Sequence, residues 1–151
     1  MHGFTMVELI TVMVLIGILT AVAIPFLGSG NGMAGSSYRN ELASGLRYAQ
    51  KTAVSHRRLV CAAFATGGAS MQLSIAPAAG ATSCASALAG PDGTGYVSRD
   101  AAVTASGFAA LYFQPNGTIT TSGAGGAPAA GALSVTGQKS IQIQGATGYV
   151  E

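Results

Sequence analysis

Residues 38–64 read YRNELASGLRYAQKTAVSHRRLVCAAF, and the fold turns on where a helix stops within this run. Leu42, Leu46, Ala49 and Ala53 recur at i, i+4, i+7 and i+11, which is one apolar stripe on a helix, with Arg47 and Lys51 lying away from it. Beyond His56 that spacing gives way to LVCAAF (59–64) and then MQLSIA (71–76), where Met71, Leu73 and Ile75 alternate as in a half-buried strand. Further strand candidates are YVS (96–98), FAALYFQ (108–114), GTITT (117–121), ALSV (132–135) and SIQIQ (140–144), separated by Gly, Pro, Asn and Ser. This order predicts an α+β fold in which an antiparallel sheet or β-sandwich packs on the helix stripe.

Composition agrees with one domain plus an appendage: the chain has 151 residues and is 49% hydrophobic. With 8% charged residues and 22 glycines it is too apolar for charge-driven disorder and too rich in small residues for a helical bundle. The net charge of +2 is too small to imply a nucleic-acid protein, yet Arg39, Arg47, Lys51, Arg57 and Arg58 crowd together against one acid, Glu41. After Asp100 only Lys139 and Glu151 are charged, a surface suited to contact with other protein copies. Cys61 and Cys84 lie far apart with no cluster of further ligands, whereas a structural zinc site needs about four, so no metal is expected. If the domain lies outside the cytoplasm, a disulfide between them is the natural reading and would contribute roughly 3 kcal/mol; two buried free thiols are the alternative.

Toward the N-terminus, GSGNGMAGSS (28–37) should not hold a helix unaided. Before it, Leu9–Phe26 (LITVMVLIGILTAVAIPF) carries no charge, and Thr11 and Thr20 are its polar side chains. As a helix it would be about 27 Å long, close to the roughly 30 Å hydrocarbon core of a bilayer. No basic region precedes it and no A-x-A site follows, so it does not read as a conventional secretory signal. Glu8 is the last charge before this run, and an ionisable group beside hydrocarbon usually marks function.

Gly3-Phe4-Thr5-Met6-Val7-Glu8, the apolar run and Pro25 in register closely resemble the processing signal of type IV prepilins and type II secretion pseudopilins. The resemblance implies cleavage between Gly3 and Phe4 by a prepilin peptidase and N-methylation of Phe4. It implies that Glu8 pairs with the Phe4 amine of a neighbouring subunit, neutralising two charges that are each costly alone. The other reading of Glu8 is a carboxylate favoured by a helix dipole. Gly17 and Pro25 weaken a helix, Gly by about 1 kcal/mol and Pro by removing a hydrogen bond; in the family this stretch loosens during assembly. The domains expected are a leader at 1–3, a transmembrane or filament-core helix at 4–27, a Gly-rich break with an amphipathic helix at 28–57, and a β-rich periplasmic or extracellular head at 58–151.

FQPNG (113–117) and SIQIQGATGYV (140–150) are similar to the aromatic-x-Pro-x-Gly turn and closing strand of the pseudopilin H and FimT-type domain, and RYAQKTAV (47–54) resembles minor pilins of mannose-sensitive haemagglutinin pili. Asn116-Gly117-Thr118 matches a glycosylation pattern, but Asn-Gly between strand candidates reads as a tight turn. There is no phosphate loop, zinc-protease helix or nucleophile elbow, and His56 beside Arg57 and Arg58 reads as a solvated helix end, so no enzyme and no cofactor are expected. The expectation is a minor pilin-like subunit that initiates, caps or adapts a filament. Its implied partners are other pilins or pseudopilins, the prepilin peptidase and an inner-membrane assembly platform; it would span the inner membrane once before assembly. A type II secretion pseudopilin is the nearest alternative. DNA binding through Arg39, Arg47, Lys51, Arg57 and Arg58 is another, and so is a solitary anchored binding domain.

Overall fold

The computed structural model describes residues 5–27, 30–90 and 95–151, and the side chains of these except 23–27 and 30–31. The chain divides into two units, Met1–Gly30 and Asn31–Glu151. In the first, α1 spans Met6–Leu27. Its start follows from local chemistry: the Glu8 amide lies 3.3 Å from the Thr5 hydroxyl oxygen and 3.1 Å from its carbonyl, so Thr5 caps the helix. Every described side chain of α1 is exposed, Leu15 at 59% and Leu19 at 68% among them. The described side chains end at Val22, about 25 Å of helix at about 1.5 Å per residue. Among the described residues no helix is long and apolar enough to cross a membrane.

α1 continues through Gly17 and Pro25, the two residues that weaken it. A glycine penalty of about 1 kcal/mol does not outweigh the hydrogen bonds of the surrounding turns. The helix also absorbs its own polar side chains: Thr11 donates to the Glu8 carbonyl at 2.9 Å, and Thr20 lies 2.9 Å and 3.0 Å from the Ile16 and Gly17 carbonyls.

In the second unit, α2 covers Gly30–His56, so 30–37 is helical where a break was expected; residues 28–29 lie outside the described residues. Tertiary contact supplies what propensity lacks. The Gln138 amide donates to the Gly32 carbonyl at 3.3 Å, and a Cβ on Gly35 would sit 3.0 Å from the same side chain. Farther along, the stripe packs as its spacing predicts, with Leu42, Leu46, Ala49 and Ala53 fully buried. The helix ends on Arg57, whose φ of 51° is left-handed. Arg58 N–H bonds the Ala53 carbonyl at 3.2 Å and Arg57 N–H bonds the Val54 carbonyl at 3.3 Å, closing the last turn.

Among the described residues ten strands follow: β1 Val60–Phe64, β2 Ser70–Ile75, β3 Ser86–Ala87, β4 Tyr96–Val97, β5 Ala105–Ser106, β6 Ala110–Phe113, β7 Ile119–Thr120, β8 Ala130–Val135, β9 Ile141–Gln144 and β10 Tyr149–Val150. One sheet runs β3-β2-β1-β6-β7, with β4 also on β2; the other runs β10-β9-β8-β5, and every pairing is antiparallel. At one corner the sheets meet through Ile119, Ala129 and Gly145, which exchange backbone hydrogen bonds of 2.7–2.8 Å. A side chain on Gly145 would strike the Ile119 and Ala129 backbones, so the corner requires glycine.

One apolar core joins the α2 stripe to both sheets: Val60, Met71, Leu111 and Phe113 from the first, Leu133, Ile141 and Ile143 from the second. Tyr38 enters it too, and its hydroxyl donates to the Gly68 carbonyl at 2.9 Å. Burial, reinforced by the Glu41 carboxylate, pushes the Tyr38 phenol up to about 12. A smaller cluster of Leu59, Cys61 and Ala76, with Cys84 and Tyr112 against it, holds the loop after β2.

Candidate functional site

Three places hold the residues singled out by sequence. At the start of α1, Glu8 stands in the first helical turn, three residues after the Thr5 cap. A carboxylate there meets the positive end of the helix dipole. The cap was missed in sequence, although Thr5-Met6-Val7-Glu8 has the T-x-x-E spacing that signals a helix start. Gly3 and Phe4 lie outside the described residues, as do Pro25's side chain and its surroundings.

The second place is the loop beyond β2. A disulfide joins Cys61 of β1 to Cys84, with Cα atoms 6.1 Å apart. The bridge lies on the sheet face that carries Tyr112, and it helps fix the segment that leads into the two-residue β3. Among the described residues no group of three or more His, Cys, Asp or Glu could hold a metal ion.

The third is the exposed side of α2. Its five cations have distinct surroundings. Arg39 donates through Nε to the Lys139 carbonyl at 2.6 Å, and Arg47 through Nε to the Val150 carbonyl at 3.1 Å. Arg57 and Arg58 make the helix-terminal turn. Lys51 lines a cleft of about 580 Å³ between α2 and the β9–β10 hairpin, together with Arg47. Arg39 and Arg47 therefore clasp the second sheet to α2 as well as carrying charge. Arg99, which the sequence reading did not single out, stands 3.6 Å from Glu41 in an exposed ion pair that contributes little.

The FQPNG stretch forms the β6–β7 turn. Gly117 N–H bonds the Gln114 carbonyl at 2.9 Å, Gln114 N–H bonds the Thr118 carbonyl at 2.8 Å, and the Asn116 side-chain oxygen accepts from both Thr118 N–H and its hydroxyl. Asn116 is thus a turn residue. Gly148, at φ 70°, brings the β9–β10 hairpin against the Gly117 carbonyl and Gln50 of α2, with no room for a side chain. The turn and the C-terminal Gly-Tyr-Val end, 148–150, are parts of one packing arrangement around α2.

No curated protein and no solved structure matches the chain. The family model of the type II transport protein GspH matches residues 39–147, well over half of the sequence and nearly all of the unit built on α2. The chain belongs to the GspH family of type II transport proteins.

Proposed function

We propose that the chain is a pilin-like filament subunit of the minor type, anchored by its N-terminal helix and presenting the α2–sheet unit as its head. The observation that carries this reading is the contrast of surfaces along the chain: α1 exposes apolar side chains on all faces with one carboxylate in its first turn, and a β-rich unit of the GspH family follows. An apolar helix of that kind needs lipid or other apolar helices around it. The apolar sequence continues through Phe26, past the last described side chain, and the whole of Met6–Leu27 is about 33 Å of helix at about 1.5 Å per residue. In this reading a prepilin peptidase cuts after Gly3, Phe4 is methylated, and the carboxylate of Glu8 meets the Phe4 amine of an adjacent subunit. The head then lies on the periplasmic side of the inner membrane, and the work is assembly, with no catalysis and no cofactor.

Two kinds of filament fit. The matched family's description favours a type II secretion pseudopilus; a type IV pilus uses the same arrangement of stalk and head. Mass spectrometry of the mature protein tests the shared step, with an N-terminus at methylated Phe4 expected; retention of Met1 where the peptidase is active would overturn it. Glu8→Ala should remove at least about nine-tenths of the subunit from sheared filaments while leaving the head's thermal unfolding within about 1 °C. Normal incorporation of that variant would defeat the pairing role.

A further inference from the structure

The cleft between α2 and the β9–β10 hairpin combines fixed positive charge with walls that mix polar groups and apolar surface. Arg47 and Lys51 stand one helical turn apart, where like charges repel by about 0.2–0.5 kcal/mol. Among the described residues neither has an ion-pair partner, and no acidic side chain lines the cleft. The bond from Arg47 Nε to the Val150 carbonyl sets the plane of the guanidinium and leaves its two terminal nitrogens for another acceptor. That end of the fork matches a carboxylate in two parallel hydrogen bonds. Gln50, Gln144 and Thr147 add polar groups, and Tyr149, half exposed, adds an amphipathic wall.

The geometry points to a site for an acidic peptide segment of a partner protein, in which one carboxylate sits on Arg47 and a second reaches Lys51. Strand addition to β10 does not compete, because Arg47 already occupies the outward carbonyl of Val150. A nucleic-acid strand is disfavoured by the small number of cations, since phosphate binding gains by neutralising many charges along a backbone. The site stands whether or not the chain enters a filament.

The test uses the full chain in a neutral detergent and a rhodamine-labelled pentaglutamate, read by fluorescence anisotropy at low ionic strength. Saturable binding in the sub-millimolar range is expected, with none for pentaglutamine. Lys51→Glu should weaken it at least about tenfold and Arg47→Lys several-fold, while Arg58→Glu, the same charge change outside the cleft, should leave it within about twofold. Absence of binding, equal loss in Arg58→Glu, or no loss in Lys51→Glu would overturn the assignment. Tighter binding of a short single-stranded DNA, lost in Lys51→Glu, would replace the peptide with a nucleic acid and overturn it as well.

Discussion

Helices α1 and α2 differ in one respect that governs everything else about them. In α1 apolar side chains surround the axis and every described one is exposed; in α2 the stripe of Leu42, Leu46, Ala49 and Ala53 is wholly buried against two sheets, and Met33, Tyr48 and Val54 lie exposed outside it. A helix with one apolar face carries the address of its partner in its own spacing, and α2 finds that partner within the chain. The all-round apolar surface of α1 specifies an apolar surrounding without choosing a face.

The sharpest way to break this contrast is to make the same substitution in each helix. Leu46→Ala in α2 should cost about 2–5 kcal/mol, because a fully buried leucine leaves a cavity. Leu15→Ala in α1 should leave the unfolding of the Asn31–Glu151 unit unchanged within about 0.5 kcal/mol. Urea unfolding of both variants, followed by near-ultraviolet dichroism of the tyrosines, measures the difference. Equal losses would show that α1 contributes to the same cooperative core as α2.

The disulfide sharpens the comparison from the sheet side. Cys61→Ser with Cys84→Ser should lower the stability of the second unit by roughly 3 kcal/mol, with α1 helicity unaffected by far-ultraviolet dichroism. An unchanged unfolding midpoint would mean that the smaller cluster around Leu59 and Tyr112 holds the loop without the bridge.

Tyr38→Phe tests the hold of α2 on the β1–β2 turn. Loss of the bond to the Gly68 carbonyl should cost about 1 kcal/mol at neutral pH. The Gly68 carbonyl keeps a second donor, Ala105 N–H at 2.9 Å, which limits the loss. The phenol's folded value of about 12 stands above its ordinary 10.0, so the folded state holds the proton more tightly. Its contribution is complete below pH 10 and is lost as pH rises toward 12. The variant should therefore lack that part of the alkaline decline; parallel pH profiles for the two proteins would refute the linkage.

How much of this was legible follows the same division. The α2 stripe and the alternation in β2 were readable because burial imposes a period on consecutive residues. Strands β3 and β5, two residues each, were invisible because Ser86–Ala87 and Ala105–Ser106 are extended only through their neighbours' backbones. At the site, Arg47 and Lys51 were visible as cations, but the carbonyl that orients Arg47 lies 103 residues away in sequence. No local pattern encodes that distance. The start of α2 failed for a related reason, since the groups that support Gly32 and Gly35 come from Gln138.

Gln138→Ala isolates that last effect and is the smallest change expected. Removing the side chain takes away the donor to the Gly32 carbonyl and the wall beside Gly35, while leaving the buried stripe from Leu42 onward untouched. Global stability should fall by under about 1 kcal/mol, because the lost bond is exposed. The local result should be larger: amide exchange across 33–37 should quicken several-fold, as this small-residue stretch returns to its own weak preference for helix. Exchange from Leu42 to Ala53 should stay slow, since its protection comes from the core. Unchanged exchange at 33–37 would mean that the first turns of α2 are held by the helix beyond them, and that Gln138 merely rests on a helix formed without it.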